Sequence, residues 1–244
     1  GNTEEALKGF DRVTEGPAVY DARFNAISAL MVMGRIDDAR RRLADARNEF
    51  PQERARLYLI EAELLVKQQK SDDAYKILTE AVGRIPGQPE LLYSRALVAE
   101  QLGHLDVMES DLKSLLEKTP DDPAALNALG FSLAVHYPDR LDESEGYVKR
   151  ALAKRPGDPA ILDSYGWILF RKGKGQEALP PLKKAYGLYA DPEIAAHFGE
   201  VLWSIGRKPE ARRIWREGWK KDPRQRDMIR IHEAYPEAFQ DPAK

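Results

Sequence analysis

The sequence has no cysteine, and this absence removes several kinds of chemistry at once. Disulfides, thiolate metal sites and cysteine nucleophiles are all excluded. Histidine is scarce, and no histidine has another three or four residues away, so we predict no metal site: His104, His136, His197 and His232. The sequence also lacks a Walker-type phosphate loop and a GxSxG nucleophile motif. We therefore predict a protein that is not an enzyme, has no catalytic residues and needs no cofactor.

Long apolar runs and a strong net charge are also missing. No apolar run approaches the ~18 residues that a membrane span needs. The formal net charge is −2, which does not favour nucleic acid as a partner. The lack of cysteine fits a reduced cytosol and a periplasmic protein equally well. Because the chain opens on Gly1 and Asn2 without methionine, we expect an excised fragment without any targeting segment.

What the sequence does contain is a pair of amphipathic helices within residues 159–192. The first is predicted over 160–172 and the second over 176–189, with a glycine break between them. Neither helix can bury its apolar face alone, so the pair needs neighbours of the same kind.

The same unit recurs along the chain with a steady period. Its twentieth place, which is most often alanine, falls at residues 39, 74, 108, 144, 178 and 211, with separations of 35, 34, 36, 34 and 33. The pattern predicts an all-α solenoid of stacked helix–turn–helix repeats. The six predicted repeats are 20–53, 55–88, 89–122, 123–158, 159–191 and 192–225.

The segments outside these repeats are also predicted to be mainly helical. Residues 1–19 are interpreted as the second helix of a truncated repeat, which implies further repeats upstream. Residues 226–244 are predicted to form a capping helix and a tail that frays over 236–244. Inside the fifth repeat, Pro180 and Pro181 predict a delayed start or a kink of the second helix, because proline cannot donate a helical hydrogen bond.

Small residues recur where the two helices of a repeat are expected to cross. Gly130, Gly166 and Gly199 lie on first helices, and Ala178 represents the alanines of the second helices. A side chain beyond Cβ at these places would push the two backbones apart, so we predict that they are structural. Acidic pairs such as Asp37 and Asp38 begin the second helices, where they favour the positive end of the helix dipole.

The sequence resembles the tetratricopeptide repeat (TPR) family over about residues 20–225. The resemblance lies in LNALGFSL at 126–133, LDSYGWIL at 162–169 and IGRKPEA at 205–211. It implies a right-handed solenoid whose first helices line a concave, partner-binding face. The fifth, ninth and twelfth places of each repeat would point inward, and with the neighbouring Arg171 they supply eight candidate partner-binding residues: Tyr93, Asn127, Phe131, Asp163, Trp167, Phe170, Arg171 and Trp203.

Two interpretations of the aromatic candidates stay open. Their rings either pack between adjacent first helices, the usual fate of buried aromatics, or anchor a partner peptide in a groove. One TPR mode is disfavoured, because the carboxylate clamp of chaperone-binding members uses lysine at the fifth place and asparagine at the ninth. This sequence has no lysine at any fifth place and no asparagine at any ninth place.

A basic segment lies near the C-terminal end of the sequence. Residues 205–230 carry ten basic and four acidic side chains, a net charge of +6. A solvated helix face is the favoured interpretation, and an acidic partner or an anionic membrane surface is the alternative.

A finer resemblance is to the TPR lipoproteins of Gram-negative outer membranes, among them the adaptors of carboxyl-terminal processing proteases. It is carried by residues 126–173, with their long HYPDRLDES turn, and by WREGWKKDP at 215–223. It implies a periplasmic adaptor that binds the protease and its cell-wall hydrolase substrates, tethered by a lipidated cysteine upstream. A cytoplasmic assembly or regulatory scaffold is the alternative.

Overall fold

The chain is helical throughout the part that the structure describes. The computed structural model describes residues 2–240, and within that range it has fourteen α-helices and no strand. The helices are α1 Asn2–Asp11, α2 Val19–Val32, α3 Ile36–Glu49, α4 Arg54–Lys67, α5 Ser71–Arg84, α6 Pro89–Gln101, α7 Leu105–Lys118, α8 Pro123–His136, α9 Leu141–Lys154, α10 Pro159–Arg171, α11 Gly175–Leu188, α12 Pro192–Ser204, α13 Lys208–Lys221 and α14 Arg226–Ala234. Short 3-10 turns occupy Pro51–Glu53, Pro138–Arg140 and Pro236–Ala238. None of the described helices is both long and apolar enough to cross a membrane.

The chain divides into two compact units, residues 1–115 and 116–244, with the division near the end of α7. In the first unit, one apolar cluster joins helices α1 to α4 and a second joins α4 to α6. An ion pair between Arg95 and Asp111, with nitrogen–oxygen distances of 2.7 Å, connects α6 to α7.

The second unit repeats the same construction. Helices α8 and α9, α10 and α11, and α12 and α13 pack as pairs, and α14 packs against α12. Its largest apolar cluster runs from Leu169 to Ala238 and is centred on the fully buried Trp215. Consecutive packed helix pairs confirm the predicted fold class, an all-α solenoid of helix–turn–helix repeats. The exact repeat bounds, and the interpretation of 1–19 as part of a truncated repeat, stay predictions.

The predicted role of the small residues at helix crossings is confirmed. A Cβ added at Gly166 would lie 2.5 Å from Cγ of Leu182 and 3.2 Å from the carbonyl oxygen of Ala178. The fourth repeat has Ser144 where most others have alanine. Its hydroxyl donates a 2.6 Å hydrogen bond to the carbonyl oxygen of Gly130, so the serine fits the same close contact.

Five of the six turns inside the repeats contain a residue in the left-handed backbone region, whereas the longer turn of the fourth repeat contains the 3-10 turn Pro138–Arg140. Four of them use glycine, and Gly173, for example, has a φ of +78°. The second repeat has Gln69 at this place, with a φ of +60°. A side chain in this backbone region costs energy, so Gln69 is a point of local strain.

Two sequence predictions about the second unit are corrected. Helix α11 begins at Gly175 and runs through Pro180 and Pro181, so the delayed start is wrong. The carbonyls that lose their donors belong to the exposed residues Gln176 and Glu177, where water can replace the missing hydrogen bonds.

The predicted frayed tail is packed over its first residues. Pro236–Ala238 forms a 3-10 turn, Ala238 is fully buried, and its carbonyl oxygen accepts a 3.0 Å hydrogen bond from Nε of Arg216. Residues 241–244 of the predicted tail lie outside the described residues.

Candidate functional site

The second unit contains a pocket formed by its first helices and its closing helix. Helix α8 supplies one wall, α10 a second, α12 the base and α14 the far side. The pocket has a volume of about 460 Å³. Its lining residues are Phe131, Val135, Trp167, Phe170, Arg171, His197, Glu200, Arg226, Asp227 and Arg230.

The helices that carry these residues have well-defined starts. Asp122, Asp158 and Asp191 each precede a proline at the first helical position, and each side chain accepts a hydrogen bond from a backbone N–H of the first turn. Aspartate at the N-cap and proline in the first turn are both favourable helix-start residues. Gln225 caps α14 in the same way, through a 2.8 Å bond from the backbone N–H of Met228. The sequence thus fixes where each pocket helix begins.

Three rings form the apolar part of the pocket. Trp167 lies between Phe170, with ring centroids 5.4 Å apart, and the imidazole of His197, with centroids 4.2 Å apart and nearly parallel planes. Phe131 contacts the other side of His197 at 5.8 Å. Trp167 is only 7% exposed, whereas Phe131 and Phe170 are partly exposed. Trp167 packs between helices and also lines the pocket, so its burial does not decide between the two interpretations of the aromatic residues.

A buried acid–base pair lies at the base of the pocket. Nδ1 of His197 is 2.8 Å from Oδ2 of Asp163, and both side chains are almost completely buried. Burial alone would lower the pKa of His197, but the carboxylates of Asp163, Glu193 and Asp227 outweigh it and raise that pKa. Asp163 therefore orients an internal histidine, which differs from its predicted role as a contact for a partner.

Charged side chains form the rim of the pocket on the α14 side. Arg230 makes a 2.8 Å ion pair with Glu200, lies 3.5 Å from Asp227, and places its guanidinium carbon 5.8 Å from the centre of the Trp167 ring. These contacts hold α14 against α12. Arg171, at the end of α10, makes no hydrogen bond or ion pair with any residue in the described range 2–240. It is a cation beside an apolar pocket with no internal acidic partner.

The structure brings together only part of the predicted site. Phe131, Trp167, Phe170 and Arg171 line the pocket, but Trp203 lies outside it. Trp203 instead contacts the rings of Trp215 and Tyr235, at 5.4 and 5.3 Å between centroids.

Two further predicted residues are not lining residues. Asn127 is partly buried on α8, and its Oδ1 has no hydrogen-bond partner within the described part of the chain. Tyr93 is partly buried on α6 in the first unit, whereas the pocket is built from second-unit residues.

Sequence reasoning missed the pocket residues on α12 and α14. His197 was set aside because no second histidine lies near it, although Glu193 precedes it by four residues and shares its helix face. Arg226, Asp227 and Arg230 lie after the last repeat, where repeat positions give no guide to orientation. The available signal was the i,i+4 pair of Glu193 and His197.

The helix pairs and the pocket between first helices define an α-solenoid repeat protein. A family model described as "Tetratricopeptide repeat" matches residues 24–89 and 139–193. A relative from Pseudomonas aeruginosa, "TPR repeat-containing protein PA4667", is 40% identical over 199 residues. The chain belongs to the tetratricopeptide repeat family, whose members bind peptide or protein partners.

The matched relative is much longer than this chain. The alignment covers 82% of the present chain but 34% of the relative, so the chain spans about a third of that protein. Among solved structures, a TPR protein from Parabacteroides merdae has a TM-score of 0.74 at 16% identity, covering 95% of this chain and 90% of that one. YrrB, described as "a TPR protein with an unusual peptide-binding site", has a TM-score of 0.55 at 20% identity, covering 80% and 97%. At these identities the structural likeness concerns the fold alone.

Proposed function

We propose that this chain is a non-catalytic adaptor segment that binds a partner polypeptide in the pocket between α8, α10, α12 and α14. The observation that carries the proposal is an apolar pocket of about 460 Å³ with a cation, Arg171, that has no acidic partner among residues 2–240. Aromatic anchors in concave sites commonly dominate the energy of peptide binding. Phe170 and Arg171 both line the pocket. A partner segment with an apolar side chain next to an acidic group would complement them, because the apolar side chain can contact Phe170 and the acidic group can pair with Arg171.

The proposed partner is a carboxyl-terminal processing protease, together with its cell-wall hydrolase substrates. The support is the sequence resemblance over 126–173 and 215–223 and the 40% identity to a Pseudomonas aeruginosa TPR protein. On this proposal the full-length protein is a periplasmic lipoprotein tethered to the outer membrane. The alternative is a cytoplasmic TPR assembly or regulatory scaffold, which the lack of cysteine in this chain fits equally well. A lipidated N-terminal cysteine in the full-length protein supports the first proposal, and its absence contradicts it.

The test measures the affinity of the chain for a purified carboxyl-terminal processing protease from a Gram-negative bacterium by biolayer interferometry. Phe170→Ala and Arg171→Ala are the informative variants, because both residues are partly exposed and neither change empties the core. Loss of an aromatic anchor typically costs 1–2 kcal/mol or more, so we expect affinity to fall about tenfold.

Trp203→Ala is the matched control. Trp203 occupies the same repeat place as Phe170, one repeat later, but lies outside the pocket. We expect it to lower stability while leaving affinity within about threefold of the parent, a change under 1 kcal/mol. Equal affinity of all three variants and the parent overturns the pocket as the binding site. Absence of any binding to the protease overturns the adaptor proposal.

A further inference from the structure

Beside the pocket, three potential metal ligands converge from two helices. Glu193 and His197 lie four residues apart on α12, and Asp227 lies at the start of α14. One carboxylate oxygen from each acid and a ring nitrogen of His197 all lie within 4.8 Å of one another. Asp227 is distant in sequence from the two α12 residues and meets them because α14 packs on α12. We propose that these three side chains form a binding site for a divalent transition-metal ion of the zinc class.

The orientation of His197 is the observation that most favours a ligand. The side chain is 2% exposed, and its Nδ1 is hydrogen bonded to Asp163 at 2.8 Å. Its Nε2 has no hydrogen-bond partner within residues 2–240. A histidine that ligates a metal characteristically donates its other ring N–H to a carboxylate, which fixes the tautomer and leaves a lone pair for the ion. Asp163 provides this arrangement.

Glu193 supplies a second ligand without loss of any existing contact. Its carboxylate makes no hydrogen bond or ion pair with the described part of the chain. The carboxylates of Glu193, Asp163 and Asp227 lie around His197, so a bound dication would lie among acidic side chains.

Asp227 supplies the third ligand and is held in place by neighbours. Its Oδ2 accepts a 3.2 Å hydrogen bond from Nε2 of Gln225, and its Oδ1 lies 3.5 Å from Nε of Arg230. Arg226 is farther, at 3.9 Å. These contacts are long for ion pairs, so the carboxylate retains lone pairs for an ion. They also resemble the outer hydrogen bonds that commonly orient ligating carboxylates.

The donor set selects the class of ion. One imidazole nitrogen and two carboxylates suit Zn²⁺, which accepts both kinds of ligand. Mg²⁺ and Ca²⁺ take oxygen ligands and gain little from an imidazole. Because His197 and Asp227 line the pocket, any remaining coordination position is accessible from it, to water or to a side chain of a bound partner.

The experiment is a calorimetric titration of the chain with ZnCl₂ after dialysis against a chelator and removal of any affinity tag. We expect saturable binding of one Zn²⁺ per chain and no saturable binding of Mg²⁺ or Ca²⁺. Glu193→Gln removes one ligand and should weaken Zn²⁺ binding at least tenfold. Asp163→Asn removes the group that orients His197 and should weaken it tenfold to a hundredfold, the usual effect of losing such a partner.

Glu90→Gln is the matched control for Glu193→Gln. Glu90 follows the proline that begins α6, as Glu193 follows the proline that begins α12, but Glu90 is exposed and belongs to no ligand cluster within the described residues. Zn²⁺ should raise the melting temperature of the parent and of Glu90→Gln but not of Glu193→Gln, because only a ligand that binds the native state stabilises it. Equal Zn²⁺ affinity of the two glutamine variants, or no saturable binding to the parent, overturns the proposal. In either case the hydrogen bond between His197 and Asp163 is a purely structural contact.

Discussion

The close crossing of α10 and α11 allows a sharp test of how the repeats are packed. Gly166 lies at this crossing, and we consider Gly166→Ala. The added Cβ would lie 2.5 Å from Cγ and 3.1 Å from Cδ2 of Leu182, and 3.2 Å from the carbonyl oxygen of Ala178. Leu182 and Ala178 are fully buried, so neither can move aside into solvent.

Two opposing effects determine how much Gly166→Ala changes the free energy of unfolding. Alanine is favoured over glycine inside a helix by about 1 kcal/mol. Overpacking a well-packed core by one methyl group costs about 1–3 kcal/mol. The contact at 2.5 Å involves the branched carbon of a buried leucine rather than the end of a flexible chain, so we expect the upper half of that range. The net effect is a loss of about 1–2 kcal/mol in the free energy of unfolding.

Gly146→Ala isolates the packing effect. Gly146 lies in the middle of α9, is exposed, and would place a Cβ with no atom within 4 Å. This variant keeps the gain in helix propensity without the clash, so it should stabilise by up to about 1 kcal/mol. Urea unfolding followed by circular dichroism and tryptophan fluorescence would measure both variants. If Gly166→Ala is as stable as Gly146→Ala, the assumed closeness of the crossing is wrong.

Three further predictions follow from the same packing and electrostatics. Ala178→Leu, at the same crossing, should destabilise by about 1–3 kcal/mol in urea unfolding, and an unchanged melt would contradict the repeat register. Gln69→Gly should raise the unfolding free energy by about 1 kcal/mol because Gln69 has a φ of +60°, whereas Gln68→Gly, at a φ of −90°, should lower it. Hydrogen bonds from Lys149 and Lys172 lower the pKa of Glu145, a buried residue of α9. Its charged form therefore stabilises the fold above the ordinary glutamate pKa of about 4.3, and this contribution is lost as the pH falls through the lowered value. Glu145→Gln should accordingly cost about 1–3 kcal/mol at pH 7 and much less at pH 3, as measured by thermal unfolding at both pH values.

The parts of the fold that could be predicted from the sequence are those fixed by local rules. Asp158 followed by Pro159 marks the start of α10, and Gly173 marks the turn that follows this helix. The repeat period alone predicts that Gly166 lies opposite Ala178, before any distance is measured. Pro180 is an exception to these local rules. They predict that a proline interrupts a helix because it cannot donate the helical hydrogen bond, but α11 runs through Pro180. The sequence could not show that the affected carbonyls lie on an exposed face.

Only the pocket residues on α8 and α10 could be predicted from the sequence, because these helices are followed by further repeats. Phe131, Trp167 and Phe170 lie on first helices, so family positions place them on one face. Trp203 has the same repeat position as Phe170, but α14 and the tail follow it, and their Tyr235 packs against its ring. Helix α14 packs on α12 where the position rule expects the first helix of a further repeat, so the rule fails there.

The charged side chains on the α14 side of the pocket also lie outside the repeat positions, because α14 follows the last predicted repeat. A first helix of a following repeat would cover α12 with apolar residues, whereas α14 presents Asp227 and Arg230 on that side. Arg230 then pairs with Glu200, and Asp227 approaches Glu193 and His197, so the charges are balanced among side chains that only the closing helix brings together. The acid–base cluster is therefore a consequence of how the array ends, and replacing α14 with another repeat would remove it while leaving the aromatic wall on α8 and α10 in place.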